Sequence, residues 1–181
     1  MLTKQEIRSK ILKKLKIQKE EDRDRKSRII KNRLLRTKVF KKAKKVMFYI
    51  AFRGEVDTQE MIKKAQKLGK IVAVPVCEKD RLNIRPSIVD YHARLIKGPY
   101  GVYEPVMKQF IRVKDLDLVI VPGVAFTKKG QRLGRGKGYY DRFLSMLSPY
   151  TTSLGLAFDF QILPCLPAQT HDINVHRVIF A

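Results

Sequence analysis

A chain of 181 residues with 44% hydrophobic content is long enough for one domain with its own core. Its two cysteines, Cys77 and Cys165, exclude a disulfide framework, and no stretch is long and uncharged enough to read as a membrane span. The balance of 39 Lys and Arg against 17 Asp and Glu, a net charge of +22, admits nucleic acid as a non-specific partner only, because aromatics are not interleaved with the bases as a single-strand platform requires. The first residues become charged at once and hold no apolar signal core, so a cytoplasmic protein is expected, as a monomer without a membrane partner.

In chain order, residues 3–40 predict a helical N-terminal segment. Ile7, Ile11, Leu12 and Leu15 share one face, Ile29, Ile30, Leu34 and Leu35 make a second stripe, and Glu20, Glu21 and Asp22 mark a new helix start after a break near Lys19. The apolar run 46–51 suits a strand buried on both faces. Asp57 or Thr58 then caps a helix carrying Met61, Ile62, Ala65 and Leu68, Gly69 closes it, and residues 71–75 form the next strand. A strand–helix–strand unit makes those two strands parallel. The middle is less regular, with a strand at 81–85 and a turn at 98–101. Residues 116–121 are a third clear strand, a helix runs from about 138 to 147, and 152–157 and 178–180 are late strands. The pattern predicts an α/β fold: a single three-layer αβα domain over residues 1–181, with a largely parallel sheet and the 1–40 helical segment within it. Ligands of such sheets gather at the carboxyl ends of strands, where the loop after Val121 lies.

That loop carries the chemistry. Gly134, Gly136 and Gly138 alternate with Arg135 and Lys137 just before a helix start, so backbone N–H groups and full charges converge where a phosphate could sit. Arg132 adds a third cation, and an arginine fork holds phosphate oxygens in pairs. It is not a Walker loop, since Lys137 is followed by Gly138, nor a dinucleotide fingerprint. No close Cys pair or helical His pair suggests zinc, and no Gly-x-Ser-x-Gly elbow suggests a hydrolase.

The run Val121-Pro122-Gly123-Val124-Ala125-Phe126, followed by the unbroken segment from Gly130 through Arg132-Leu133-Gly134-Arg135-Gly136-Lys137-Gly138-Tyr139-Tyr140-Asp141 to Leu144, resembles the signature of the 5-formyltetrahydrofolate cyclo-ligases, also called 5,10-methenyltetrahydrofolate synthetases. Lys4 and Arg8, Glu55-Val56-Asp57-Thr58 and Tyr103-Glu104-Pro105 fall in the family's order, so the likeness spans nearly the whole chain. It implies that 5-formyltetrahydrofolate is closed to 5,10-methenyltetrahydrofolate as ATP goes to ADP and phosphate, with Mg²⁺ as cofactor and a phosphorylated formyl intermediate.

By the same resemblance Lys4 and Arg8, one helical turn apart, hold ATP together with Arg132, Leu133, Gly134, Arg135, Gly136, Lys137, Gly138, Tyr139 and Tyr140. Ile50 and Glu55 bind the pterin, and Arg135, Gly136, Lys137, Gly138 and Tyr139 border the folate too. Arg135, Lys137 and Tyr139 are the catalytic candidates; Asp141 and Asp172 are the magnesium ligands; Tyr103, Glu104 and Pro105 shape the pocket. The chain departs from the family at His176, where an acid is common, and a cation there is expected to alter the field near Asp172. The competing reading is an RNA- or DNA-binding protein that uses the charge.

Overall fold

The structure, a computed structural model, describes residues 2–78, 83–98 and 100–181. Thr3 opens the first helix, α1 (Lys4–Ile17), with a reciprocal cap in which its hydroxyl accepts from the Glu6 N–H and the Glu6 carboxylate accepts from the Thr3 N–H. Ile7, Ile11 and Leu15 recur every fourth residue, so all three point into the core. The chain breaks at Gln18 and Lys19, and α2 (Glu20–Arg36) begins on its three acids and buries Ile30 and Leu34. A short α3 (Lys38–Lys42), capped by the Thr37 hydroxyl, is one helix more than the periodicity indicates.

The strands are β1 (Lys45–Met47), β2 (Ile71–Glu78), β3 (Asn83–Ile88), β4 (Leu95–Lys97), β5 (Tyr103–Pro105), β6 (Gln109–Phe110), β7 (Leu118–Val121), β8 (Ala125–Phe126), β9 (Arg132–Leu133), β10 (Thr152–Ala157) and β11 (Arg177–Phe180). Helix α4 (Gln59–Lys67) connects β1 to β2 and α5 (Tyr139–Ser145) precedes β10. The main sheet runs β11-β10-β7-β1-β2-β3-β6; its first five strands are parallel, and β3 and β6 are antiparallel additions at one edge.

Side-chain alternation makes the layers. Val46, Leu118, Ile120, Leu154 and Ile179 face the core shared with α1, α2 and α4, whereas Met47, Val119, Val121, Ala157 and Val178 face Phe143 and Leu144 of α5. Both faces are therefore covered, as a parallel sheet requires, and the αβα expectation holds. Among the described residues no helix is long and apolar enough to cross a membrane.

Several boundaries differ from the sequence reading for physical reasons. The expected strand at 46–51 pairs only to Met47, after which Thr58 donates its hydroxyl to the Tyr49 carbonyl and Tyr49 donates its own to Val56, so the chain turns away from its neighbours. The 71–75 strand continues to Glu78 through Pro75, which lies opposite Pro86 of β3 and past the end of β1, where no N–H is needed. Thr58 is the N-cap residue of α4 but makes no side-chain cap bond; the Asp57 carboxylate, one residue earlier, accepts from the Gln59 N–H. Arg81 and Leu82 of the expected 81–85 strand lie outside the described residues; its remainder belongs to β3. Pro99 of the 98–101 turn lies outside them too, while the Gly101 N–H closes that turn on the Gly98 carbonyl. The last helix is shorter than 138–147, with Gly138 as its N-cap.

This topology leaves one natural crevice. From β1 the chain crosses through α4 to β2 on one side; β7 lies on β1's other side and proceeds through α5 to β10. Successive connections thus diverge at the carboxyl ends of β1 and β7, and the early end of β1 deepens the gap.

Candidate active site

A cleft of about 360 Å³ opens at that point. Its floor comes from Tyr49 and Ile50 after β1, Pro75 and Cys77 on β2, and Pro122 and Gly123 after β7. Gln161, fully buried, fixes part of the floor by donating to the carbonyls of Gly123 and Val124 while accepting from the Phe158 N–H. The walls are the 132–141 segment, Glu55 with Phe52, and α1, which brings Lys4 and Arg8. All of the residues expected to hold ATP, the pterin or magnesium therefore line one space, including Asp141 and Asp172.

The 132–141 wall begins as a hairpin, β8 against β9, that orients its two strand residues differently. Leu133 gives its side chain to the core, so it serves the wall mainly through backbone. The Arg132 guanidinium is buried too, 3% exposed, and its charge is met by Asp141 at 2.7 Å. The glycines then divide their labour. Gly136 (φ +101°) and Gly138 (φ +67°) take left-handed conformations that a side chain would strain. Gly134 does not, contrary to the simple expectation for the run; a Cβ there would meet the Arg132 guanidinium at 2.9 Å. The Gly134 carbonyl accepts from Arg8 Nε at 2.8 Å, which joins the loop to α1.

Each acid assigned to the site is held by a cation assigned to it. Arg135 donates to Glu55 Oε1 at 2.8 Å and 3.2 Å, and the Phe52 N–H donates to the other oxygen. Burial nonetheless pushes the Glu55 carboxyl above the usual carboxylate range, against the pull of Arg135. Lys4 donates to Asp172 Oδ2 at 2.6 Å and to Gln169; burial opposes ionisation there, but Lys4 and the Gln169 N–H hold that carboxyl below its ordinary value. Asp141 Oδ1 accepts from Arg132 and, at 3.3 Å, from the Ile173 N–H, which draws it to the residue next to Asp172. Two carboxylates brought to one corner beside a cleft suit magnesium, which takes one or two protein carboxylates and otherwise phosphate oxygens and water. Among the described residues there is no group of three or more metal-ligating side chains, so the pair would need those other ligands.

Two buried donors in this wall, Arg132 Nε and the Tyr140 hydroxyl, have no partner among the described residues. Burial first, then the nearby Cys77 and Glu55, push the Tyr140 phenol well above its ordinary pKa, so it keeps its proton. Tyr139 contacts Tyr100, hydroxyl to hydroxyl, at 2.8 Å. Burial and that contact push its pKa up to about 12. The Lys137 ammonium lies 4.0 Å from the centre of the Tyr100 ring.

Two expectations need correction or refinement. His176 accepts through Nδ1 from the Ser153 N–H and lines a different, smaller cavity with Leu144 and Ile173; the imidazole beside Asp172 is that of His171, 4.0 Å away. The 103–105 segment is not in the cleft wall, but the buried Glu104 carboxylate accepts from the Cys77 N–H and so braces the strand that is. Burial, and then Glu104, push the Cys77 thiol up to about 11, which leaves it a poor nucleophile. Tyr100, Cys77 and Gln161 escaped the sequence reading because no local spacing marks them; a buried glutamine shows itself only through its partners.

The sequence matches the 5-formyltetrahydrofolate cyclo-ligase family over residues 1–181. It is 30% identical to a 5-formyltetrahydrofolate cyclo-ligase of Mus musculus over 190 residues, covering 98% of this chain and 93% of that protein. It is 34% identical over 139 residues to the Escherichia coli K12 protein of the same name, covering 74% and 76%. Among solved structures, the Aquifex aeolicus 5,10-methenyltetrahydrofolate synthetase is similar at a TM-score of 0.88 and 36% identity, covering 99% of this chain and 90% of that one. The Mycoplasma pneumoniae synthetase, at 22% identity and a TM-score of 0.79, shares the fold, with 98% of each chain covered.

Proposed function

The chain belongs to the 5-formyltetrahydrofolate cyclo-ligase family, and from that membership we propose that it is the ATP- and Mg²⁺-dependent enzyme that closes 5-formyltetrahydrofolate to 5,10-methenyltetrahydrofolate, releasing ADP and phosphate. One observation carries the reading: Glu55 and the cationic 132–140 wall face the same cleft and are in contact, so a pterin and a polyphosphate can be held with their reacting ends together.

The chemistry explains why a nucleotide is needed. A formamide oxygen leaves poorly. Transfer of the γ-phosphoryl group to the formyl oxygen converts it into a phosphate ester on an iminium carbon. N10 attacks that carbon, its proton is lost, and the carbon–oxygen bond breaks to release phosphate with the formyl oxygen in it. Little covalent work falls to the protein; positioning and charge neutralisation dominate. Lys4 and Arg8 on α1 and the loop from Arg132 to Tyr140 hold the nucleotide. Ile50 supplies an apolar wall for the pterin, and Glu55 accepts paired hydrogen bonds from its amino-pyrimidinone edge.

Binding at Glu55 competes with Arg135, so the folate frees that guanidinium to meet the transferring phosphoryl group. Lys137 adds a point charge, and Tyr139, protonated near neutrality, adds a neutral donor. Asp141 and Asp172 are the residues that would hold magnesium, which supplies neutralisation of polyphosphate charge. The reading takes the enzyme as a monomer that acts in the cytoplasm.

The test is direct. Purified protein with Mg²⁺, ATP and 5-formyltetrahydrofolate should generate the methenyl chromophore with one ADP per product. No chromophore, with tight and salt-sensitive RNA binding instead, would replace this reading by the one that rests on the +22 charge.

A further inference from the structure

We propose that Tyr100 is a positioning residue of this cleft, its hydroxyl setting Tyr139 and its ring setting Lys137; the inference rests on the cyclisation reading above. Tyr100 belongs to the turn between β4 and β5. It lines the cleft opposite the glycine loop. Its hydroxyl is 2.8 Å from that of Tyr139, and the two rings meet edge to face with centroids 5.7 Å apart. Its ring centre is 4.0 Å from the Lys137 ammonium, well inside the range at which a cation is attracted to an aromatic face. A single side chain thus holds two loop residues that are candidates for the reacting end.

The loop needs such support. Lys137 is flanked by Gly136 and Gly138, both left-handed, in a stretch with little stiffness of its own. Arg142 steadies the backbone by donating to the Lys137 carbonyl, and its guanidinium lies 5.6 Å from the Tyr139 ring centre, but neither contact fixes where the Lys137 ammonium or the Tyr139 hydroxyl points. Tyr100 does both.

The hydroxyl pair also has a chemical consequence. Two phenols joined by one hydrogen bond spend one O–H on each other and leave one O–H to donate elsewhere. The pair therefore presents a single oriented donor beside the Lys137 ammonium. That combination matches an anionic oxygen, the group that develops during phosphoryl transfer.

The experiment compares the wild type with Tyr100→Phe, Tyr100→Leu, Tyr139→Phe and the Tyr100→Phe/Tyr139→Phe double variant, each checked by thermal unfolding. Tyr100→Phe keeps the ring and loses the hydroxyl. It should lower kcat about 3- to 10-fold, the scale of one lost hydrogen bond, with the KM for ATP changed less than about 2-fold. Tyr100→Leu, which also loses the ring under Lys137, should in addition raise the KM for ATP about 2- to 5-fold. The double variant should be no slower than Tyr139→Phe. A wild-type kcat in Tyr100→Phe, or losses that multiply in the double variant, overturns the proposal. An arm independent of turnover follows the Tyr139 ring by NMR with ring-labelled tyrosine: Tyr100→Phe should raise its mobility, and an unchanged ring also overturns the proposal. Absence of cyclisation by the wild type would instead remove the functional reading, while the mobility of the Tyr139 ring still decides the Tyr100–Tyr139 contact.

Discussion

Two walls of the cleft, α1 and the 132–141 segment, both aim cations at one space and hold them by opposite means. On α1, Lys4 and Arg8 ride on a helix fastened by a capping box and by Ile7, Ile11 and Leu15, each nearly fully buried. Burial of three such side chains contributes about 1.5–3 kcal/mol apiece, enough to fix the helix independently of any ligand. The 132–141 wall has no comparable outward anchor between Gly134 and Gly138; its position comes from polar contacts with Glu55, Arg8 and Tyr100. Charge on a packed helix is set in place by folding. Charge on a glycine loop is set by ion pairs that a ligand can exchange, which suits groups whose work begins when substrate arrives.

The sharpest way to separate the walls is to damage each alone. Arg135→Ala should depress kcat/KM by about 100-fold or more, the scale of removing one well-placed donor to developing charge, while thermal unfolding hardly moves, since this side chain is 35% exposed. Wild-type activity in that variant would remove the loop from the mechanism. Ile11→Ala should do the reverse. Denaturant unfolding should show a loss of about 2–4 kcal/mol, and the KM for ATP should rise as Lys4 and Arg8 lose their footing. A loss of only a few tenths would mean that α1 is not held by its apolar stripe.

Next in size, Asp141→Asn should raise the magnesium concentration needed for half-maximal turnover about 10-fold, in the range seen when a metal site loses one contributor. An unchanged magnesium titration would confine Asp141 to its ion pair with Arg132. The smallest expected effect is on pH. Burial raises the folded-state pKa of Glu55, so the folded protein holds its proton into a higher pH range than the unfolded chain does. Stability from this group is therefore present below the ordinary carboxylate value and declines as pH rises through the raised one. Pterin binding as proposed would run the other way, because it would use the ionised carboxylate. The KM for the folate should fall across that same window, and Glu55→Gln should flatten the profile; a profile that persists in Glu55→Gln would place the titrating group elsewhere.

Each wall, taken alone, was legible in the sequence. The loop was legible because its chemistry is consecutive: three glycines alternate with cations, and a helix follows, so neighbours in sequence are neighbours in space. The α1 stripe was legible for the same reason, through its period of four, and so was the parallel core. What joins them was not. Lys4 meets Asp172 across 168 positions and Arg135 meets Glu55 across 80, and no local pattern encodes either pairing. The early end of β1 was hidden as well, since the apolar run continues through Ile50 while hydrogen bonds from Thr58 and Tyr49 redirect the chain. His176 shows the complementary error. Four positions from Asp172 in sequence, it is held instead by Ser153 on β10 and faces another cavity.

The central claim is that the folate and the nucleotide react directly in one cleft, with the formyl oxygen receiving the phosphoryl group. Substrate labelled with ¹⁸O in the formyl group tests it in a single turnover by mass analysis of the products. The account predicts that the label leaves in inorganic phosphate, one atom per methenyl product and per ADP. Label recovered in water, with unlabelled phosphate, would contradict it.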